Sequence, residues 1–323
     1  GRRLPRVQGP GVVTGLGRYA QHMMMPNVLF MKTLRSPHPH AKVLKVDTSK
    51  AEKFPGVVAV LHRGNLPKEY ADVRLGGTPP SRFLFNEEVY EVGAPIACVA
   101  AASDHIADEA IRLIEVQYQK LAPVLTLEDA MKASTAKQWD NKFDGTIMGI
   151  PTPLKRGDAT KGMSDAEVVV ENVSSRSVEQ HMALEPTTTL GWWDNDRYNA
   201  VYTTQYAHGS RDALAQALRL PQNRVHVIQP GYMGSGYGYR GGIDLPEIHT
   251  AIMAKITGRP VRTMYTRSED FVVRTHRPEN LNQMKLGVKK DGTIVAGQFK
   301  VIANVGAQRS NSASGSWYNM QNL

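Results

Sequence analysis

The sequence predicts an α+β protein with two domains. Apolar runs of strand length recur along the whole chain, and a smaller number of helices begin at recognisable capping residues. The first part mixes strands with short helices, whereas the second part is richer in strands. A chain of 323 residues with 41% apolar residues can bury a proper core and divides more naturally into two domains than one.

The first predicted domain comprises residues 1–135. It opens with a glycine-rich, extended lead-in at 6–17, because this stretch shows almost no hydrophobic periodicity. Apolar runs predict strands at 27–34, 41–46, 57–61, 94–102 and 115–121. Capping residues predict helices at 48–53, at 104–113 and from 126 onwards. Residues 64–88 are expected to be irregular, since Pro79 and Pro80 favour a loop.

A polar stretch containing Pro151 and Pro153 predicts a linker at 136–162, followed by a second domain at 163–323. Strands are predicted at 167–173, 175–179, 182–193, 198–204, 225–228 and 261–266. Helices are predicted at 210–218 and 246–256. Residues 285–288 and 294–304 are predicted to form a hairpin, because Asp291-Gly292 is a typical turn pair.

Composition excludes several classes of protein. The formal net charge of +9 is compatible with nucleic-acid binding, but lysine and arginine are scattered and form no basic stripe, so we expect no nucleic-acid partner. No apolar run reaches the length of a membrane span, and the start of the sequence has no apolar signal-peptide region. The single cysteine, Cys98, lies in a predicted strand core and forms no internal disulfide, which favours a cytoplasmic protein.

The most distinctive stretch is a loop with six glycines, Gln229-Pro-Gly-Tyr-Met-Gly-Ser-Gly-Tyr-Gly-Tyr-Arg-Gly-Gly242, which we call the glycine loop. It lies between a predicted strand and a predicted helix, an arrangement in which bare backbone N–H groups can bind an anionic ligand. The plainer alternative is a loop that only needs positive φ. Gly236 to Gly241 also matches the G-x-G-x-x-G dinucleotide pattern, with Glu269-Asp270 after the next strand. Bulky Tyr237 and Tyr239 argue against that interpretation.

Several further segments, together with the glycine loop, carry a resemblance to a known family. Residues 6–15, 34–41, 55–60 and 92–97 form one group, and residues 184–186, 204–205, 258–262 and 267–270 form another. With these motifs the chain resembles the molybdenum-binding large subunits of the xanthine dehydrogenase, aldehyde oxidase and carbon monoxide dehydrogenase family, the molybdenum hydroxylases. The first group is similar to the family's α/β hammerhead domain and the second to the first part of its molybdopterin-binding α+β domain. The resemblance implies the N-terminal portion of a large subunit that is split between two chains.

The resemblance also implies which residues bind the cofactor. The segment Gly234-Ser-Gly-Tyr-Gly238 stands in the place of the family's Gly-Gly-Gly-Phe-Gly, which lies beside the molybdopterin and the oxo ligands of the metal. Gln205 matches the family glutamine that hydrogen-bonds an oxo ligand and is therefore the predicted catalytic residue. The predicted cofactor-binding set is Gln205, Gly234, Ser235, Gly236, Tyr237 and Gly238. No protein ligand to the metal is expected, because a pterin dithiolene holds molybdenum; the cofactor's pyrophosphate suits a glycine nest at a helix start.

The loop also departs from the family pattern. Ser235 replaces a glycine, and Tyr237 replaces a phenylalanine. The role of Tyr237 is either packing under the cofactor or hydrogen bonding. Tyr239-Arg240-Gly241 stands where xanthine dehydrogenases often have Gly-Lys-Glu, and the loss of that glutamate argues against a purine substrate. Tyr239 and Arg240 are the candidate substrate residues. Arg240 is expected to pair with an anionic substrate, with a cofactor phosphate or with a nearby carboxylate.

Other polar residues have both a catalytic and a structural interpretation. His181 with Glu185, and His208 with Gln205, are possible acid–base pairs, but each is a lone histidine beside a strand and a structural role is favoured. His38 and His40 are expected in a proline turn rather than a metal site. Glu185 is expected to be a buried carboxylate with backbone donors.

The resemblance implies a molybdenum-cofactor-binding subunit of a multi-subunit hydroxylase or dehydrogenase. Such an enzyme oxidises an electron-poor carbon of a small molecule, an aldehyde, an N-heterocycle or a related compound, with water as the oxygen source. Its cofactor is molybdenum–molybdopterin, with the cytosine dinucleotide form left open. Cys98 alone cannot bind a cluster, so 2Fe-2S centres and FAD are expected on an iron–sulfur subunit and a FAD subunit, beside a companion chain that completes the molybdenum subunit. The alternatives are a non-catalytic dinucleotide-binding or scaffold subunit, and a molybdenum enzyme of this fold that catalyses hydration.

Overall fold

The computed structural model describes residues 1–75, 82–132 and 155–306. The described residues fall into two compact units. The first contains residues 1–75, 82–123 and 181–275, and the second contains residues 124–132, 155–180 and 276–306.

The described residues form strands and helices in an α+β arrangement, as predicted. The strands are β1 Leu29–Arg35, β2 Ala41–Asp47, β3 Val57–His62, β4 Arg74–Leu75, β5 Arg82–Phe83, β6 Glu88–Val89, β7 Pro95–Ala101, β8 Glu115–Lys120, β9 Val168–Arg176, β10 Thr188–Asp194, β11 Arg197–Tyr202, β12 Val225–Ile228, β13 Val261–Met264, β14 Glu279–Val288 and β15 Ile294–Asn304. The helices are α1 Gly9–Val13, α2 Ser49–Glu52, α3 Asp104–Arg112, α4 Leu127–Met131, α5 Ala159–Ser164, α6 Ala207–Leu218, α7 Leu245–Thr257 and α8 Arg267–Val273.

The first unit is built on a seven-stranded mixed sheet with the order β12-β11-β10-β13-β1-β7-β3. At its centre β1 runs parallel to β13, with Leu29 opposite Val261, and antiparallel to β7. Strands from both sides of the predicted linker at 136–162 therefore share one sheet. The boundaries of the compact units therefore differ from those of the predicted domains 1–135 and 163–323. The division into these two domains stays a prediction.

The sheet explains the most apolar stretch of the sequence. All seven residues of β7 are buried, which accounts for a continuous apolar run without strand alternation. Cys98 lies in this strand with its thiol 3.5 Å from the Thr33 hydroxyl, and burial raises the pKa of the thiol to about 12. The expected role of Cys98 as a strand-core thiol is confirmed.

Smaller sheets complete the two units. The order β6-β2-β8 and the pair β4-β5 belong to the first unit, and β15-β14-β9 belongs to the second. The predicted hairpin between β14 and β15 is confirmed, with Gly292 at φ 87° in its turn. The strands predicted at 167–173 and 175–179 are one strand, β9, because all of it pairs with β14.

Three further expectations are corrected. The lead-in at 6–17 contains the short helix α1, and residues 159–164 of the predicted linker form α5, whereas 136–154 of that linker lie outside the described residues. The strand predicted at 182–193 begins only at Thr188, because the preceding residues turn towards the glycine loop. Helix α8 was not predicted, although Thr266 and Glu269 form a clear capping box at its start.

Among the described residues no helix has the length and apolar character needed to cross a membrane.

Helix α7 is the most buried helix of the first unit, and it contains a titratable residue without an expected function. His249 stacks on Phe85 at 4.8 Å between ring centroids and donates from Nε2 to the carbonyl oxygen of Leu84 at 3.0 Å. Burial lowers the pKa of this histidine from 6.5 to about 4. The neutral ring therefore stabilises the fold fully above about pH 6.5, and this contribution is lost as the pH falls towards 4.

We expect His249→Gln to remove most of this pH dependence. A shift of this size corresponds to about 3 kcal/mol of unfolding free energy between the two pH limits. Urea unfolding of the wild type and the variant at pH 7 and pH 4.5 measures it. The wild type should lose more stability than the variant on acidification, and parallel losses would show that other groups dominate.

Candidate functional site

The glycine loop connects β12 to α7 and has a backbone that ordinary residues disfavour. Ser235 and Tyr237 have φ values of 83° and 53°, and Gly238 has a φ of 105°. A left-handed conformation costs a non-glycine residue roughly 1–2 kcal/mol. Two such residues within three positions persist only when neighbouring contacts stabilise the loop.

Gln205 supplies the first of these contacts. It follows β11 and is exposed, and its Oε1 accepts from the backbone N–H groups of Gly238 at 3.0 Å and Arg240 at 3.3 Å. Its own backbone N–H donates to the carbonyl oxygen of Arg240 at 2.8 Å. Because two N–H donors fix the oxygen side of the amide, Nε2 is the free donor, and no described residue accepts from it. Gln205 therefore lies beside the glycine loop, as predicted, and its Nε2 donor is not used by any described residue.

The glycines of the loop allow two close approaches. A Cβ atom on Gly236 would lie 2.6 Å from Cδ of Gln205, and one on Gly234 would lie 2.3 Å from Cβ of Glu185. By contrast, a Cβ on Gly242 would meet no atom within 4 Å. Gly234 and Gly236 are thus required by packing against the site residues, whereas Gly242 is not.

A buried ion pair holds the other side of the loop. Nη1 of Arg240 lies 3.3 Å from Oε2 of Glu185, and these side chains are 3% and 1% exposed. The carboxylate also accepts from the backbone N–H groups of Gly234 and Ala20, each at 2.9 Å, while Nη2 of Arg240 donates to the carbonyl oxygen of Glu185. Of the three partners left open for Arg240, the geometry favours the nearby carboxylate. The expectation that Glu185 is a buried carboxylate with backbone donors is confirmed.

Tyr239 lies against two guanidinium groups. Nε of Arg240 donates to its hydroxyl at 2.9 Å, and Arg274 packs over its ring at 4.8 Å from the centroid. Nη2 of Arg274 also donates to the carbonyl oxygen of Tyr239 at 3.2 Å. The ring is half-buried, so it combines a fixed position with partial access to solvent.

The start of helix α7 is not available to an anionic ligand. Asp244 caps it by accepting from Leu245 N at 2.8 Å, and Arg82 and Arg274 pair with its carboxylate at 2.8 and 3.3 Å. Burial disfavours the charged form of Asp244, but the two arginines outweigh it and lower its pKa. Burial raises the pKa of Glu247, which completes the capping box. The expectation that this helix start contributes to a phosphate site is therefore wrong, because the chain's own carboxylates occupy it.

The histidines take structural positions. Nδ1 of His181 lies 3.1 Å from the carbonyl oxygen of Thr275, and its ring is 5.2 Å from Tyr239. His208 is exposed on α6, and its side chain bonds to no described residue. His40 contacts Glu88 and the carbonyl oxygen of Ala122, and His38 packs on Tyr118. Within the described ranges, no group of three or more His, Cys, Asp or Glu side chains could hold a metal ion.

The structure adds site residues that the sequence did not indicate. Arg82 and Arg274 reach the site from distant segments, and no local pattern marks them. Tyr232, inside the glycine loop, packs against Gly11 and Gly17 of the N-terminal lead-in. The only available signal was the high glycine content of that lead-in, which predicts flexibility equally well.

Comparison with protein families divides the chain into the two parts that the resemblance implied. Residues 14–122 match the model "Aldehyde oxidase and xanthine dehydrogenase, a/b hammerhead domain". Residues 142–323 match the model "Molybdopterin cofactor-binding domain", which includes the glycine loop and Gln205.

Curated relatives agree with these matches. The chain is 31% identical over 351 residues to a probable hypoxanthine oxidase of Escherichia coli (strain K12), covering 97% of this chain but 36% of the relative. It is 29% identical over 314 residues to the nicotinate dehydrogenase large molybdopterin subunit of Eubacterium barkeri, covering 96% of this chain and 71% of that subunit. The chain thus spans about a third of the length of the first of these relatives.

Solved structures share the fold. Reconstituted CO dehydrogenase from Oligotropha carboxidovorans superposes with a TM-score of 0.83 at 25% identity, covering 93% of this chain and 39% of that one. Quinoline 2-oxidoreductase from Pseudomonas putida 86 superposes with a TM-score of 0.81 at 24% identity, again over 93% of this chain and 39% of the other. With the two family models and the glycine loop beside Gln205, these comparisons identify the chain as a member of the molybdenum-binding subunit family of xanthine dehydrogenase, aldehyde oxidase and carbon monoxide dehydrogenase.

Proposed function

We propose that this chain is the cofactor-binding part of a molybdenum hydroxylase that oxidises an electron-poor carbon of a small molecule. The observation that carries the proposal is the Nε2 donor of Gln205, which bonds to none of the described residues and is fixed beside a strained loop whose glycines allow close approach. A donor in this position suits an oxo ligand, which accepts strong hydrogen bonds but provides no proton.

The donor set agrees with a metal that is held by an organic cofactor. Gln205, Gly234, Ser235, Gly236, Tyr237 and Gly238 would surround molybdenum–molybdopterin, as the family resemblance implies. Neutral amide and backbone donors suit oxo and dithiolene ligands, whereas a protein-bound metal would need charged ligands or imidazoles. When bound, the cofactor supplies a metal centre that takes two electrons from the substrate and delivers oxygen from water.

This chain's own residues would orient that cofactor. The Oε1 atom of Gln205 fixes the loop through Gly238 and Arg240, and its Nε2 atom remains to donate towards the cofactor. Arg240 is 3% exposed and paired with Glu185, so we assign it to holding the loop. Tyr239 is half-buried, and it remains the candidate substrate contact.

For the substrate we propose either an aldehyde or an N-heterocycle other than a purine. Among the similar proteins, one is named for nicotinate and one is a quinoline oxidoreductase, and both of these compounds are N-heterocycles other than purines. A third is named for the purine hypoxanthine, so the exclusion of purines rests on the loop of this chain and not on its relatives. Gly241 stands in the place of the family's purine-binding glutamate, and a Cβ there would meet only the carbonyl oxygen of Gly238 at 3.5 Å. A carboxylate is therefore missing where a purine would need one.

The arrangement of partners is part of the same proposal. We infer a companion chain that completes the molybdenum subunit, together with partner subunits that carry 2Fe-2S clusters and FAD. The relative from Eubacterium barkeri is named a large molybdopterin subunit, which supports a multi-subunit arrangement. A cytoplasmic location and the cytosine dinucleotide form of the pterin belong to this proposal as well.

We expect the purified protein, isolated with the chains that accompany it, to contain molybdenum at about one equivalent per copy of this chain. Elemental analysis by mass spectrometry measures the metal, and fluorescence of the oxidised pterin after release measures the organic part. A preparation that oxidises substrate but contains neither molybdenum nor tungsten would refute the proposal.

A further inference from the structure

The N-terminal lead-in lies directly on the glycine loop. We call residues 8–20 the N-terminal clasp. A Cβ atom on Gly11 would lie 2.0 Å from the hydroxyl oxygen of Tyr232, and one on Gly17 would lie 3.1 Å from its Cδ1. The Tyr232 ring therefore occupies a notch that two glycines leave open, and larger residues at these positions would displace it.

Three further contacts join the N-terminal clasp to the same region. The Nε2 atom of Gln8 donates to the carbonyl oxygen of Gly231, and the ring of Tyr19 lies 5.8 Å from the ring of Tyr232. The backbone N–H of Ala20 donates to Oε1 of Glu185 at 2.9 Å. The clasp thus reaches the loop on one side and the buried carboxylate on the other.

The contacts of the N-terminal clasp lie next to the strained part of the loop. Tyr232 precedes Gly234 by two residues, and Gly234 N donates to the second oxygen of Glu185 at 2.9 Å. Ser235 and Tyr237, with positive φ, follow directly. The clasp therefore contacts Gly231 and Tyr232, which precede the positive-φ segment. It also contacts Glu185, whose carboxylate accepts from the backbone N–H of Gly234.

We propose that the N-terminal clasp positions the glycine loop, and that Tyr232 is the positioning residue on which it acts. The clasp holds Tyr232 and Glu185 in place, and these two residues keep the positive-φ segment from relaxing. Loss of the clasp is expected to loosen the loop and, as a result, to weaken retention of the cofactor. The expected loosening of the loop stands by itself, whereas the expected loss of cofactor rests on the proposed function.

Hydrogen exchange of the full protein, isolated with its accompanying chains, tests the proposal. Three amides of the loop report directly, because Gly234 N, Gly238 N and Arg240 N are bonded to site side chains. Peptides from α7 report whether the core remains intact. The variants are Gly11→Ala, which inserts an atom into the notch, and Tyr232→Ala, which empties it. The matched control is Gly9→Ala, whose Cβ would meet only Cβ of Arg6 at 3.7 Å.

We expect Gly11→Ala and Tyr232→Ala to speed exchange in residues 229–242 by about tenfold or more, equivalent to about 1.4 kcal/mol. Exchange in α7 should stay unchanged. Gly9→Ala should match the wild type, and Tyr232→Phe should restore slow exchange, because the ring still fills the notch. If Gly11→Ala unfolds the protein, Tyr232→Ala alone decides.

Two results would overturn the proposal. One is wild-type exchange in the loop in Tyr232→Ala, and the other is equal acceleration in α7 and the loop, which would make the N-terminal clasp a general part of the core. Molybdenum release during dialysis is measured in parallel. Faster loop exchange in a protein that never contains molybdenum would uphold the clasp and reject the proposed function, so the two failures are distinguishable.

Discussion

Gln205→Glu is expected to lower turnover per bound molybdenum by a factor of about 100 or more while leaving the loop in place. The substitution keeps an oxygen for the amides of Gly238 and Arg240 but replaces Nε2, the free donor. Removing a fixed donor from a reacting centre costs on the order of 3 kcal/mol in barrier. Steady-state rates with an artificial electron acceptor, divided by molybdenum content, measure the effect.

Two glycine variants provide the control for loop geometry. Gly236→Ala places a Cβ 2.6 Å from Cδ of Gln205 and should also lower turnover, because it displaces the amide. Gly242→Ala meets no atom within 4 Å and should behave as the wild type. Near-wild-type turnover of Gln205→Glu, at normal molybdenum content, would mean that Nε2 has no part in the reaction.

Arg240→Met is expected to lower the free energy of unfolding by about 3 kcal/mol or more. It removes the guanidinium from a pair that is 3% and 1% exposed and leaves Glu185 with two backbone donors only. A buried carboxylate without its counter-charge is costly, since desolvation is no longer offset by attraction. Chemical denaturation at neutral pH measures the change.

An exposed pair gives the matched control. Arg224 and Asp196 lie 2.5 Å apart but are 48% and 65% exposed, so Arg224→Met should cost less than about 1 kcal/mol. The double variant Glu185→Gln with Arg240→Met should recover part of the lost stability, because no unpaired charge remains. Equal effects of the buried and exposed single variants would show that the Glu185–Arg240 pair contributes nothing beyond a surface contact.

Local pattern was sufficient to find most elements and the glycine loop, whereas Gln205 was selected by the family resemblance. The apolar runs at 94–102 and 225–228 correspond to β7 and β12, because strand length and burial are visible in composition. The hairpin at Asp291-Gly292 follows from the backbone that this pair favours. At least 24 positions separate Gln205 from the glycine loop in the sequence. In the structure Oε1 of Gln205 lies 3.0 Å from the backbone nitrogen of Gly238.

The remaining features depend on contacts between distant segments. Glu185 receives bonds from Ala20, Gly234 and Arg240, and no periodicity relates those positions. The start of α7 was predicted to favour a phosphate, but Asp244 caps it and pairs with Arg82 and Arg274. Sequence indicates where a helix starts, but it does not indicate which charges the fold will bring to that start.

The central position of β1 has a consequence for how the chain folds during synthesis. Residues 29–31 pair with residues 261–263, so one edge of β1 stays open until the ribosome has released more than 230 further residues. Until then the β1, β7 and β3 strands expose an unpaired edge, which is a site for aggregation. Long-range parallel pairing also slows folding, because a large loop must close before the pairing is gained. We therefore expect a nascent chain of this topology to stay vulnerable to aggregation for longer than one in which neighbouring strands pair.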